Sequence, residues 1–183
     1  MTLPPDGRAR IAVISDTHSS PHPEARARVE AMSPLAILHA GDIGDLGVLD
    51  RFSEIAPVFA VRGNIDTHAP DVPDAMVIDL VRGDASVAVR LYMTHVAVYG
   101  PKLRADVGRA ARSEEASLVV CGHSHVPFLS RDRDLAVFNP GSIGPRRFRL
   151  PIVLGAIDIA PDAVGLVHID CETGERWRPR ARA

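Results

Sequence analysis

Ile11-Ala12-Val13-Ile14-Ser15-Asp16-Thr17-His18 is the stretch from which the fold can be read. The apolar run from Arg10 to Ile14 is short, rich in Ile and Val, and stops at a polar turn, which marks a buried strand. The pattern returns twice. Leu35 to His39 ends in Gly41-Asp42, and Val58 to Val61 ends in Gly63-Asn64. Between these runs, Glu24 to Met32 reads as a short helix, and Leu46, Leu49 and Phe52 recur at helical spacing behind Asp45, a candidate N-cap. Strand–helix–strand–helix–strand with continuous apolar strands predicts a parallel sheet covered on both faces. Ligands of such sheets bind beyond the carboxyl ends of the strands.

The later part changes character. Met76 to Val81 and Val87 to Met93 read as strands around the turn Arg82 to Ala85. Lys102 to Glu115 reads as a helix with Leu103, Val107, Ala110 and Ala111 on one face. Leu118 to Cys121 is a further buried strand, running into Gly122-His123-Ser124-His125. Two hairpin-like pairs follow, Phe128 to Ser130 with Leu135 to Phe138, and Ile152 to Ile159 with Val164 to Cys171. They predict a second, more antiparallel sheet packed on the first. No repeat or linker interrupts the chain. One domain over residues 1–183 is expected, with a core of about 10–172 and a frayed Arg- and Pro-rich tail from Arg176 to Ala183.

Composition narrows the function. At 183 residues, 46% hydrophobic and 24% charged, the chain has the balance of an ordinary globular protein with a sizeable core. A net charge of −2 advertises neither a nucleic-acid nor a membrane surface. Cys121 and Cys171 form no CxxC pair, which argues against a thiolate zinc site or disulfide framework. With no apolar run of membrane-spanning length and no apolar leader at the N-terminus, a cytoplasmic location is the default expectation.

The chemistry lies at the strand ends: Asp16 and His18, Asp42, Asn64 and Asp66, His95, and His123 and His125. Residues i and i+2 on an extended segment point to the same side. Asp16 with His18, and His123 with His125, can therefore each grip one cation. Asp42, with two carboxylate oxygens, can bridge two. Carboxylate, imidazole and amide oxygen together suit Mn, Fe, Zn or Mg better than a soft metal.

The ordered set Asp16-Thr17-His18, Gly41-Asp42, Gly63-Asn64-Ile65-Asp66, Thr94-His95 and Gly122-His123-Ser124-His125 resembles the calcineurin-like metallophosphoesterases. It is most similar to their small bacterial and archaeal phosphodiesterase branch, to which the retromer scaffold subunit is related. Asn139-Pro140-Gly141-Ser142 matches that branch's NPGS segment. The resemblance implies an α/β fold, a four-layer α-β-β-α sandwich with two mixed sheets face to face. It implies that Asp16, His18, Asp42 and His125 hold one metal, and Asp42, Asn64, His95 and His123 the other. The implied cofactors are two divalent ions, Mn²⁺ first, with Zn, Fe, Ni or Mg as alternatives. The implied reaction is hydrolysis of a small phosphate ester, most simply a phosphodiester, by a hydroxide bridging ions ~3.5–4 Å apart. Catalysis is then expected from Asp42, Asn64 and His95, with Asp66 orienting a ligand. Arg146, in the cluster Arg146, Arg147 and Arg149, is a candidate phosphate contact beside Asn64.

Two departures from the family pattern bear on substrate. Ile65 stands where many members carry a proton-donating histidine. Val96 and Ala97 follow His95 where a glycine and a histidine are common. Weakened general-acid help favours activated leaving groups, so an aryl phosphodiester is the expected substrate. Outside the set, His22, His68 and His168 read as loop or surface histidines, His39 as a satisfied buried one, and Cys121 as a small core residue. Two other functions compete with the enzyme: a scaffold of the same fold without catalysis, and a nuclease, which the modest charge disfavours. The sequence leaves room for a homo-oligomer.

Overall fold

The computed structural model describes residues 1–179 of the chain. Strand β1 (Ala9–Ile14), helix α1 (Ala25–Ala31), β2 (Ala36–His39), α2 (Gly47–Ser53) and β3 (Val58–Ala60) follow in the predicted order. Then come β4 (Ala75–Val81), β5 (Val87–Thr94), β6 (Val98–Tyr99), β7 (Lys102–Leu103), α3 (Ala105–Ser113) and β8 (Leu118–Val120). The chain ends with β9 (Phe128–Asp132), β10 (Leu135–Asn139), β11 (Val153–Ala160), β12 (Ala163–Asp170) and β13 (Arg176–Trp177). One sheet has the order β13-β12-β11-β1-β2-β3 and the other β4-β5-β8-β10-β9.

Both sheets are mixed. β1, β2 and β3 run parallel, as do β5, β8 and β10, while the flanking strands are antiparallel. Alternation along each strand builds the layers. Ile11 and Val13 face inward and meet Leu80, Leu91, Met93, Val120 and Phe138 from the other sheet. Ala12, Ile14 and Ile37 face outward and are covered by Ala25 and Val29 of α1 and Val48 and Phe52 of α2. Val119 and Val137 face out of the second sheet, under Val107 and Ala111 of α3. The result is the expected four-layer α-β-β-α sandwich. Among the described residues, no helix is long and apolar enough to cross a membrane.

Five details differ from the sequence expectation. The hairpin β11–β12 joins the first sheet beside β1, not the second, because Ile157 and Ile159 complete the inter-sheet core. The second sheet keeps a parallel centre, so it is less antiparallel than its hairpins suggest. The helix expected from Lys102 starts at Ala105, since Lys102 pairs with Tyr99 across a Gly100-Pro101 turn. Arg176 and Trp177, expected in the loose tail, pair with Ile169 and His168 of β12. Arg180 to Ala183, the rest of that tail, lie outside the described residues. Asp45 is not the N-cap of α2: Leu46 holds that position, and Asp45 sits one residue before it, its Oδ1 accepting the Gly47 N–H at 3.0 Å.

Because β1, β2, β3, β5 and β8 are parallel within their sheets, their carboxyl ends deliver the polar loops to one edge of the sandwich.

Candidate metal centre

Two clusters of ligand atoms form at that edge. Asp16, His18 and His125 make one, and Asp42, His95 and His123 the other, each with its ligand atoms within 4.8 Å of one another. Asp42 faces both. Its Oδ1 lies 3.3 Å from His95 Nε2 and its Oδ2 lies 3.7 Å from His18 Nε2. In the first cluster, His125 Nε2 lies 3.3 Å from Asp16 Oδ1 and 3.2 Å from His18 Nε2. Asn64 is exposed on the adjoining loop, one residue before Ile65, whose N–H Asp42 Oδ1 accepts at 3.2 Å.

The spacing argument for His123 and His125 fails: they belong to different clusters. The backbone there is not extended. Asp16, His18, Asp42, His123 and His125 all have positive φ, between 45° and 69°. Left-handed backbone at non-glycine residues costs about 1–3 kcal/mol each and gathers at functional sites. The division into two clusters matches the ligand sets implied by the family resemblance. Glycine makes the close approaches possible. At Gly41, where φ is +91°, a Cβ would lie 2.6 Å from His95 Nδ1. At Gly63 it would lie 2.1 Å from Asp42 Oδ1.

The supporting bonds fix which lone pairs are free. His95 Nδ1 lies 2.7 Å from the Ala40 carbonyl, so it carries the hydrogen and leaves Nε2 as the acceptor in the neutral ring. Asp16 Oδ2 accepts the Ser15 hydroxyl at 2.6 Å and the His123 N–H at 3.1 Å. Its Oδ1 has no hydrogen-bond partner, nor has His95 Nε2, and both atoms are buried. An unsatisfied buried polar atom costs roughly 1–3 kcal/mol. One orphan in each cluster, aimed at other ligand atoms, is the pattern a bound cation resolves.

Charge follows the same geometry. Burial disfavours ionised Asp42, yet His95, the Ile65 N–H and His18 outweigh it and lower its pKa to about 2. Burial also disfavours a charged His95, but Asp42 and Asp16 outweigh it and raise its pKa. His18 is pushed down by burial and by the Arg147 guanidinium. His39, fully buried, is lowered to about 4 by desolvation. It contacts Thr17 Oγ1 at 2.9 Å and takes the Gly41 N–H on Nδ1, the satisfied core histidine expected.

Asp66 is buried and its carboxylate accepts three backbone N–H groups, from Ile43 at 3.0 Å, Gly44 at 2.9 Å and Gly63 at 2.7 Å. It ties the loop after Asp42 to the loop that carries Asn64. The Asn139–Ser142 segment clamps the other side. Asn139 Nδ2 donates to the Gly122 carbonyl at 2.6 Å, and Ser142 Oγ donates to the Asp16 carbonyl at 3.1 Å. His168, expected on a loop or the surface, lies in β12, 2.7 Å from the Asn139 carbonyl and packed on Phe138 and Trp177.

Arg146 does not reach the centre. It is bound to Glu172 at 2.5 Å and to the Leu150 carbonyl. Its neighbour Arg147 does, with a guanidinium nitrogen 3.1 Å from His18 Nε2. Adjacent residues on an irregular loop diverge, and only the fold decides which one turns inward. Ser15 was also missed, though its place beside Asp16 was the available signal.

A family model for the calcineurin-like phosphoesterase superfamily domain matches residues 10–162. A probable metallophosphoesterase of Methanothermobacter thermautotrophicus is 31% identical over 149 residues, 79% of this chain and 83% of that protein. Phosphodiesterase YfcE of Escherichia coli strain K12 is 28% identical over 119 residues, 61% of this chain and 58% of that protein. The structure of Vacuolar Protein Sorting 29 from Cryptosporidium parvum superposes with a TM-score of 0.75 at 16% identity, covering 93% of this chain and 95% of the other. With both clusters formed and most of its length matched, the chain belongs to the calcineurin-like phosphoesterase superfamily.

Proposed function

We propose that the protein, as one domain, is a divalent-metal-dependent phosphodiesterase acting on small aryl-type phosphate esters. The observation that carries this is the pair of orphaned buried atoms, Asp16 Oδ1 and His95 Nε2, one in each of two clusters that share Asp42. Asp16, His18, Asp42 and His125 would hold one ion, and Asp42, Asn64, His95 and His123 the other. The donor set suits hard and borderline divalent ions over soft ones, and Mn²⁺ is the ion the family resemblance puts first. Bound ions acidify a water and neutralise charge on phosphate oxygens.

The chain's own residues do the rest. The Ala40 carbonyl holds the His95 tautomer, and Ser15 and the His123 N–H turn Asp16 so that Oδ1 faces the cluster. Asp66 keeps the Asp42 and Asn64 loops in register. Arg147, free of any carboxylate within 4 Å among the described residues, is the guanidinium placed to take a phosphate oxygen. Ile65 has no proton to give, so the leaving group must depart unaided, which favours aryl oxides. The unsatisfied ligand atoms favour an enzyme over a non-catalytic scaffold of the same fold. A cytoplasmic setting accords with two buried, unpaired cysteines.

The test is chelator treatment followed by metal add-back, with bis-p-nitrophenyl phosphate as substrate and metal content measured alongside. Turnover should vanish on chelation and return with Mn²⁺, and simple alkyl monoesters should be turned over poorly. Activity indifferent to chelation, or faster on an alkyl monoester, overturns the assignment.

A further inference from the structure

The two loops that carry His95 and His123 continue past the candidate metal centre and enclose a second feature. After His95 the chain forms the β6–β7 hairpin, in which Val98 pairs with Leu103 and Tyr99 with Lys102. After His123 it runs through Ser124, Val126 and Phe128 into β9. Between them lies a pocket of about 700 Å³ lined by Tyr99, Pro101, His123, Val126, Phe128 and Leu129, among others. That volume falls within the range of small-molecule sites, ~300–1,000 Å³.

Three properties set this pocket apart. Its lining is mainly apolar and contains no carboxylate, so an anionic ligand meets no repulsion there. Its floor is fixed: Val98 and Phe128 pack against the core beneath the second sheet, and Ser124 Oγ is held by the Val126 N–H and by Asn139. Its rim is costly to leave in water. Tyr99 is 88% exposed and Val126 42%. Large apolar side chains grouped around a fixed concavity mark a binding surface. His123 belongs to both structures, lining the pocket while its ring joins Asp42 and His95. A group bound in the pocket is therefore continuous with whatever is bound at the metal centre.

We propose that this pocket is the specificity subsite for one ester group of the substrate, and that it takes a planar aromatic group, with Tyr99 and Val126 as its selecting residues. The proposal rests on the phosphodiesterase reading above. The Tyr99 ring offers a face for stacking, while the Val126 side chain removes the aromatic group from water. An alkyl ester as small as methyl covers little of this surface and gains little from it. The aromatic group is either a simple aryl ring or a nucleobase, and the chemistry that recognises the two is shared.

Calorimetric titration of the Mn²⁺-loaded protein tests this without requiring turnover. The ligands are diphenyl phosphate, dimethyl phosphate and the methyl ester of uridine 5′-monophosphate. Diphenyl phosphate should bind at least about tenfold tighter than dimethyl phosphate. Tyr99→Ala and Val126→Ser should each bring that ratio towards one with metal content unchanged. Both side chains are exposed, so folding is not at stake. The nucleotide ester distinguishes the sources: tighter than diphenyl phosphate identifies a nucleobase, weaker identifies a simple aryl group. Equal binding of the phenyl and methyl diesters, or a ratio that survives both substitutions, overturns the proposal. Bis-p-nitrophenyl phosphate turnover on the same preparations separates the two readings. Turnover without aryl preference removes the subsite alone. Aryl preference lost in the variants, without turnover, removes the phosphodiesterase alone.

Discussion

His18 and Asp42 face one another across the two clusters, with Nε2 3.7 Å from Oδ2, while the other Asp42 oxygen lies 3.3 Å from His95. One carboxylate thus serves two sets of imidazoles. Loss of an outer-shell partner already costs ~10–100-fold in metal affinity or activity. Asp42→Ala should therefore lose at least about 100-fold in phosphodiester turnover and release both ions together, as read by elemental analysis. An active variant that retains its metal would contradict a bridging role.

Asp66 acts on the site through backbone. Its three accepted N–H groups come from two loops, and the side chain is fully buried. An amide can accept on one oxygen only, so Asp66→Asn should destabilise the metal-free protein by roughly 2–3 kcal/mol. Urea unfolding measures this. A change under about 0.5 kcal/mol, the size of an ordinary surface substitution, would show that the loops do not depend on the carboxylate.

His39 predicts a pH dependence. Burial lowers its pKa from 6.5 to about 4. Between those values the unfolded chain takes up a proton that the folded chain refuses. Stability from this residue is full above pH 6.5 and declines as pH falls towards 4, by roughly 3 kcal/mol. Metal-free protein should lose stability between pH 7 and pH 4.5, and His39→Gln should flatten most of that slope. The raised His95 pKa acts in the opposite sense and above pH 6.5, outside this window. Equal slopes in parent and variant would rule His39 out.

Arg146 and Arg147 are neighbours with different fates. Arg147→Gln should reduce kcat/KM for an aryl phosphodiester about tenfold, the loss of one charge-assisted hydrogen bond. Arg146→Gln should leave it within about twofold, since Arg146 is bound to Glu172. The reverse ranking in steady-state kinetics would return the phosphate contact to Arg146.

Much of this protein was legible along the chain. The apolar runs ending at Ile14, His39 and Val120 are strands in the structure, because short Ile- and Val-rich segments bury well on both faces of a sheet. Those same ends, with that of β5, supply Asp16, His18, Asp42, His95, His123 and His125 to the two clusters, in the division that the family resemblance implied. The Lys102 helix start and the placement of β11–β12 were misread because strand pairing over long sequence separations competes with local propensity.

The sequence by itself determined the strand order of the first third and the candidate ligand side chains, since these depend on local apolar patterning and on residue chemistry, while the four-layer architecture was implied by the family resemblance. Tertiary structure alone decided that His123 and His125 part company, that Arg147 rather than Arg146 turns inward, and that Tyr99 and Val126 wall a pocket beside His123. Left-handed backbone at the ligand loops and contacts between distant segments set those directions, and neither is written in the spacing of neighbouring residues.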